Sequence, residues 1–207
     1  MKSVFRNWFK TTTLLLSILV LASVASSQTT TPTTTPTPTP TPVTIPLFAT
    51  GTTVTALHLA GTTNPATDLY GQYHLTNNIV LRTDSLLAPG NNFQGYYGGV
   101  GWAGSPDALF TKTNLPKNTF QVYGFGDVGV ARNVPASGPT LQKFSFWLHG
   151  GLNYDPLGSG KFTVNVVDVG WINAPGFSSP NSAGTLVSSP NGWTVSIGIK
   201  LGFGSSN

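Results

Sequence analysis

The sequence contains no cysteine and no glutamate, and only 8% of its 207 residues are charged. The absence of cysteine excludes a disulfide framework, a thiolate metal site and an N-terminal lipid-modified cysteine. Soluble domains usually carry about 25% charged residues, which keep them dispersed in water. The low charge therefore argues against an ordinary soluble domain.

The formal charge of +4 gives no support for nucleic-acid binding. Three of the ten basic residues, Lys2, Arg6 and Lys10, lie in a segment that we expect to be removed. The other seven face six aspartates, which leaves a charge of +1. A nucleic-acid-binding surface requires a clear excess of basic residues, so we expect no such partner.

Two segments precede the main domain. Residues 1–26 have the pattern of a signal peptide, with basic residues first, an apolar stretch next and small residues for cleavage last. An uncleaved anchor helix is the alternative, but the apolar stretch is short for a membrane span. Residues 27–45 are rich in threonine and proline and predict an extended linker. An O-glycosylated stalk or a partner-binding tail are alternatives for this linker.

Residues 46–207 show no helical periodicity but many short strand patterns separated by glycine-rich turns. Asn77-Asn78 predicts a hairpin turn because asparagine tolerates positive φ, and residues 155–160 predict a second turn. Residues 174–190 read as a long loop without secondary structure. The predicted strands are 52–60, 67–76, 79–88, 92–103, 118–132, 140–154, 160–173 and 191–203.

The last strand has the clearest alternation. One face is wholly apolar from Trp193 to Phe203, and the other carries only small or polar residues such as Ser196 and Lys200. Ten steps of about 3.3 Å, tilted by about 45°, give a height of about 23 Å. That height matches the apolar band of about 25 Å, bordered by aromatic residues, on outer-membrane barrels.

Aromatic residues border the apolar face on three successive strands. Residues 160–173 change phase at Val166-Val167, which predicts a β-bulge there. We expect the aromatics to lie at the two membrane interfaces. The outer set is Phe144, Trp171 and Trp193, and the inner set is Tyr154, Phe162 and Phe203.

Over about residues 50–203 the chain resembles the small eight-stranded outer-membrane β-barrels of the OmpA/OmpX type. Tyr73–Arg82 and Trp193–Phe203 carry the resemblance most clearly. It implies an all-β fold, an eight-stranded antiparallel up-and-down transmembrane β-barrel. It also implies location in the cell outer membrane, with the lipid bilayer and the outer-membrane assembly machinery as partners. A structural or surface-interaction role follows, and oligomeric state is left open.

The polar face of the strands carries six ionisable residues, which we expect inside the barrel. A charge-paired network that fills the lumen is the favoured interpretation, and acid–base or proton-handling chemistry is the alternative. Lys200 is expected to pair with an aspartate. Because eight strands enclose only enough space for side chains, we predict no general porin. The six residues are Arg82, Asp84, Asp127, His149, Asp168 and Lys200.

The sequence contains no convincing motif for catalysis or cofactor binding. Two G-x-G-x-x-G matches, beginning at Gly99 and Gly124, lack the strand-then-helix context of a dinucleotide site and instead suggest lumen packing. No G-x-S-x-G motif occurs, and the three histidines form no metal-spaced pair. We therefore predict no enzyme, cofactor or metal. The rival hypothesis is a secreted soluble β-barrel or sandwich that binds a small apolar ligand or glycan.

Overall fold

The computed structural model describes residues 46–106, 119–135 and 139–204. The expected signal peptide and linker lie outside these residues and remain predictions. Among the described residues, no helix has the length and apolar character needed to cross a bilayer. The strands are β1 (Phe48–Leu59), β2 (Thr62–His74), β3 (Ile79–Ala88), β4 (Phe93–Gly104), β5 (Phe120–Asn133), β6 (Leu141–Tyr154), β7 (Phe162–Asn173), β8 (Ser178–Pro180), β9 (Leu186–Ser188) and β10 (Asn191–Phe203), with a short 3-10 turn at Pro89–Asn91.

Eight of these strands form a closed antiparallel barrel in the order β1-β10-β7-β6-β5-β4-β3-β2. Each strand pairs with its neighbours, and β10 closes the sheet by pairing with β1 from Phe48–Phe203 to Leu59–Gly192. Closure leaves no unpaired sheet edge, which is what a strand-built membrane protein requires. The predicted fold class is therefore confirmed.

The connection from β1 to β2 is much shorter than predicted. Leu59 already pairs with Thr62, so Ala60 and Gly61 alone form the turn, with φ of 54° and 72°. The prediction ended the first strand at residue 60 and began the second at residue 67, which left six residues between them. Pro65 lies in β2 beyond the part that pairs with β3, so its missing N–H costs no bond to that strand.

The two predicted turns are present, and one differs in detail. Between β2 and β3 the Thr76 hydroxyl accepts hydrogen bonds from the N–H groups of Asn78 and Ile79, at 3.2 and 2.9 Å. This turn contains no positive φ, so the predicted left-handed conformation at Asn77-Asn78 is wrong. The side-chain hydroxyl, rather than a left-handed residue, closes the turn.

In the second turn, the Asp155 carboxylate accepts hydrogen bonds from the N–H groups of Leu157 and Gly160. Gly158 and Gly160 have φ of 62° and 67°, a conformation that favours glycine. The residues that predicted this turn therefore also form it.

The predicted bulge in β7 is confirmed. Ser196 pairs with Asp168 and Gly198 with Asn165, so two residues of β7 stand opposite Ile197 alone. Those two residues, Val166 and Val167, both face outward. The bulge therefore keeps apolar residues outside on both sides of the phase change.

Residues 174–190 contain secondary structure, contrary to the prediction. Strands β8 and β9 pair there as a small separate hairpin. Phe177 is fully buried and packs edge-on against Phe93, with ring centroids 5.6 Å apart. The Ser179 hydroxyl donates to the carbonyl of Asn91, and the Asn133 amide donates to that of Ser178. The hairpin closes one end of the barrel, which we call the capped end.

A compact apolar cluster fills the lumen near the capped end. Its side chains come from the barrel strands and from the hairpin connection, so they converge only in the closed structure. The opposite end, where β1 begins and β10 finishes, is called the terminal end. The cluster comprises Leu57, Leu59, Ala66, Leu86, Ala88, Phe93, Tyr97, Ala131, Trp147, Ile172, Ala174 and Phe177.

We predict that Phe177→Ala lowers the free energy of unfolding by about 3 kcal/mol, because it leaves a cavity in the apolar cluster. The matched control is Leu186→Ala, since Leu186 lies on the same hairpin but is 63% exposed. The control should change stability by less than about 0.5 kcal/mol. Denaturant unfolding in detergent, followed by tryptophan fluorescence, measures both. Equal stability of the two variants would show that the hairpin does not anchor the cap.

Candidate functional site

A layer of charged side chains crosses the middle of the lumen. Alternation along β3, β5, β6 and β7 directs these side chains inward. Each of the six predicted residues is at most 6% exposed. Five of them, Arg82, Asp84, Asp127, His149 and Asp168, belong to this layer, which we call the polar layer together with Asp68 and Tyr123.

Arg82 holds two aspartates in the polar layer. Its guanidinium lies 2.6 Å from Asp84 Oδ1 and 3.1 Å from Asp68 Oδ2. Asp68 was missed by the sequence analysis, although its position in β2, two residues before the buried Tyr70, places it on the inward face. Such charge-assisted bonds are among the stronger ones in proteins.

His149 joins the other two aspartates. Its Nε2 lies 3.0 Å from Asp127 Oδ2, and its Nδ1 lies 2.8 Å from Asp168 Oδ2. The Tyr123 hydroxyl donates to the same Asp168 oxygen at 2.6 Å. Because an ionised carboxylate only accepts hydrogen bonds, binding two of them requires both ring nitrogens to carry protons. In this state His149 is an imidazolium.

Aromatic rings enclose both cationic side chains. The His149 ring stacks between Trp147 and Phe125, with centroids 4.3 and 5.4 Å away. Arg82 lies over the rings of Tyr70 and Phe125, at 4.0 and 5.1 Å. These contacts add cation–π attraction and keep water from the charges. The polar layer is therefore closely packed as well as buried.

The polar layer contains more acid than base. Four aspartates face one arginine and one histidine, so full ionisation leaves an excess of two negative charges even with His149 protonated. Each aspartate also has one buried oxygen without a hydrogen-bond partner among the described residues. These oxygens are Asp68 Oδ1, Asp84 Oδ2, Asp127 Oδ1 and Asp168 Oδ1.

Inward-facing glycines provide the space for this packing. A β-carbon on Gly99 would lie 2.3 Å from Asp127 Oδ1, and one on Gly101 would lie 2.3 Å from Phe125 Cδ1. Both glycines belong to the first G-x-G-x-x-G match, which lies entirely inside β4 and is followed by no described helix. These contacts support the lumen-packing interpretation of that motif.

Lys200 lies apart from the polar layer, at the terminal end. It lines a cavity of about 350 Å³ together with His74, Gln121 and Asp155. Its Nζ is 3.5 Å from Gln121 Oε1, and no carboxylate oxygen among the described residues lies within 4.0 Å of it.

The structure corrects the expected pairing of Lys200 with an aspartate. In the β10–β7 pair, Ser196 stands opposite Asp168, whereas Lys200 stands opposite Thr163. Four residues along a strand span about 13 Å. Lys200 thus shares a face with Ser196 but lies at a different height in the barrel.

The six predicted interface aromatics all reach the outer surface of the barrel. Phe144, Trp193 and Phe203 are more than half exposed, and Tyr154, Phe162 and Trp171 are half-buried. Trp193 pairs with Trp171 near the capped end, and Phe162 pairs with Leu201 near the terminal end. The aromatics therefore form two groups at opposite ends of the exterior. Their role at membrane interfaces remains a prediction.

We predict that Arg82→Met lowers the free energy of unfolding by about 3–5 kcal/mol, because it leaves Asp68 and Asp84 buried without their cation. Lys200→Met is the matched control, since it removes a buried cation that has no carboxylate partner within the described ranges. That variant should lose no more than about 1 kcal/mol. Unfolding in detergent compares the two, and an equal loss would contradict the assigned pairing.

Comparison with known proteins finds similarity at the level of fold. No protein-family model matches the sequence, and no curated protein sequence matches it. The structure of Neisserial surface protein A is similar with a TM-score of 0.51 and 10% identity, covering 75% of this chain and 97% of that one.

Two further structures align over most of the chain with lower scores. A de novo designed transmembrane β-barrel has a TM-score of 0.46 and 13% identity, over 78% of this chain and 96% of that one. Ail, the attachment invasion locus protein of Yersinia pestis, has a TM-score of 0.37 and 13% identity, over 75% and 96%. The fold of this chain is thus that of the small eight-stranded outer-membrane barrels, as the sequence pattern predicted.

Proposed function

We propose that the chain is an outer-membrane protein with a structural or surface-interaction role and a filled lumen. The observation that carries this proposal is the inverted polarity of the barrel. Large apolar side chains are exposed on all eight barrel strands, whereas the charges of the polar layer are buried. One member from each strand is Phe48, Leu69, Leu81, Val100, Val128, Phe144, Val169 and Trp193.

An apolar exterior of this extent favours contact with lipid. Contiguous apolar patches on soluble monomers seldom exceed a few hundred Å². In a bilayer the same apolar surface contacts the lipid tails, and the strands of the closed sheet pair their backbone hydrogen-bonding groups with one another. A soluble barrel that binds an apolar ligand needs the opposite arrangement, with the face of Trp193 and Ile197 inside. Both side chains are exposed, so the soluble rival is disfavoured.

The side chains that occupy the lumen argue against a general diffusion pore. The apolar cluster occupies the lumen at the capped end, where Trp147 and Phe177 are at most 1% exposed. The polar layer lies next to this cluster. Its ion pairs join β2 to β3, and they join β6 to both β5 and β7. The cavity near Lys200 is lined by residues of the terminal end and by no member of the polar layer or the apolar cluster.

The same burial argues against an enzyme, although Asp127, His149 and Asp168 could exchange protons. The side chains of His149 and Asp127 have no exposed surface, so a substrate cannot reach them without rearrangement of the lumen. We therefore assign no catalytic residue. The polar layer is instead proposed to hold the barrel strands together.

The surface role is proposed for the capped end. The β8–β9 hairpin is fixed by Phe177 and Ser179 but leaves Leu186 63% exposed near its tip. Neisserial surface protein A is, by its name, a surface protein, and a comparable placement is proposed here. Export through the segment 1–26, a linker at 27–45 and insertion by the outer-membrane assembly machinery belong to the same proposal.

Cell fractionation tests the location. We expect the protein in the outer-membrane fraction, with faster gel migration when unheated than when boiled in detergent. Recovery as a stable monomer in detergent-free buffer, from the periplasm or the medium, would overturn the membrane assignment and favour the soluble rival.

Planar-bilayer recording tests the filled lumen. We expect little steady conductance from the reconstituted wild type, because bulky and ionic side chains in so narrow a lumen should leave no continuous water path. A general porin reconstituted in the same bilayers serves as the positive control. Large, stable open channels from the wild type would contradict the filled interior, even if fractionation placed the protein in the outer membrane.

A further inference from the structure

We propose that the polar layer binds one divalent transition-metal ion through Asp84, Asp127 and His149. One ligand atom from each of these side chains lies within 4.8 Å of the other two, and all three residues are buried. This inference goes beyond the proposed membrane role and does not depend on it. The ligands come from β3, β5 and β6, so no short sequence motif joins them.

The charge of the polar layer favours a cation. Arg82 is the one permanently charged base in the layer, and four aspartates surround it and His149. Buried carboxylates without a compensating charge are costly, so the layer must take up protons or a cation. Because His149 would release one proton on binding, a divalent ion would reduce the excess from two negative charges to one.

Unused oxygen atoms provide the second observation. Asp84 Oδ2 and Asp127 Oδ1 are buried and have no hydrogen-bond partner among residues 46–106, 119–135 and 139–204. Their companion oxygens are already engaged, Asp84 Oδ1 by Arg82 and Asp127 Oδ2 by His149. Buried polar atoms normally have partners, and a bound ion is one of the established reasons for an exception. The free oxygens therefore point to an ion between the aspartates.

The distance between His149 and Asp127 also fits two ligands of one ion. Ligand atoms bonded to zinc at about 2.0–2.1 Å lie roughly 3.0–3.4 Å from each other. His149 Nε2 and Asp127 Oδ2 are 3.0 Å apart. On binding, His149 would lose the proton on Nε2, and the metal would replace the hydrogen bond between these two atoms. Asp127 would then have both carboxylate oxygens available to the ion, Oδ2 released from this hydrogen bond and the unpartnered Oδ1.

The surroundings of His149 match those of a metal-binding histidine. Its Nδ1 would keep its proton and donate to Asp168 at 2.8 Å, and the Tyr123 hydroxyl holds that carboxylate from the other side. A carboxylate on the second ring nitrogen fixes the orientation of the ring and raises its basicity. Stacking against Trp147 restricts the ring further.

The ligand set indicates the class of metal. One imidazole and two carboxylates, with no thiolate, suit zinc and similar divalent ions such as cobalt or manganese. Calcium prefers six to eight oxygen ligands, so a set that includes a nitrogen disfavours it. Zinc is the natural test ion, and cobalt is its spectroscopic substitute.

The test uses the full barrel, refolded in detergent with a chelator and then given zinc or no metal. After removal of unbound ion, elemental analysis should find about one zinc per wild-type chain, with a higher unfolding midpoint than the metal-free protein. Asp84→Asn and Asp127→Asn should each lose the bound zinc. Asp68→Asn is the matched control, because it also removes a buried charge but no ligand, and it should keep the zinc.

The Asp168→Asn variant tests whether Asp168 orients His149 without binding the ion itself. We expect it to retain the site with about tenfold to hundredfold weaker zinc affinity, because it disturbs only the group that orients His149. If an asparagine variant at Asp84 or Asp127 fails to fold, this affinity and the visible spectrum of the cobalt-loaded wild type decide the question instead.

Two results would overturn the proposal. Wild-type protein that retains no zinc or cobalt after refolding with excess ion would show that protons alone compensate the four aspartates. Retention of zinc by the Asp84→Asn and Asp127→Asn variants at the wild-type level would place any ion elsewhere. Neither result would affect fractionation or conductance, so the proposed membrane function stands or falls separately.

Discussion

The strict alternation of side chains in a closed sheet is the constraint on which the whole structure depends. Because β10 pairs with β1, every strand has one face outside and one face in a lumen just wide enough for side chains. The exterior requires apolar character rather than a specific fit, so valine, leucine and tryptophan all occur there. The interior must match volume and charge at each level. This is why Gly99 lies beside Asp127, and why Arg82 sits between Asp68 and Asp84.

Features encoded locally in the sequence were predicted well. The alternation from Trp193 to Phe203 predicts a strand with one apolar face, and the structure confirms that strand as β10. The phase change at Val166-Val167 predicts a bulge, and the register on both sides of β7 confirms it. Closure into eight strands also followed, because strand length and the number of repeats set the size of a barrel.

Features that depend on register across strands were not predicted. Lys200 and Asp168 share an inward face, but only the pairing of β10 with β7 shows that they differ in height. Asp84, Asp127 and His149 are far apart in the chain and meet only because the sheet closes. The β8–β9 hairpin was missed for a related reason. Its stability comes from Phe177 packing on Phe93, a contact that the local sequence does not reveal.

The two ends of the barrel differ in structure. The β8–β9 hairpin lies at the capped end, and the cavity near Lys200 lies at the terminal end. Phe177 and Trp147 lie between the polar layer and the capped end, while Lys200 and Gln121 line a cavity at the terminal end. Among the described residues, this cavity therefore lies at the end that holds the start of β1 and the finish of β10. For a protein in a bilayer, Lys200 and His74 would respond to the solution at that end, whereas His149 and Asp127, which have no exposed side-chain surface, are shielded from both sides.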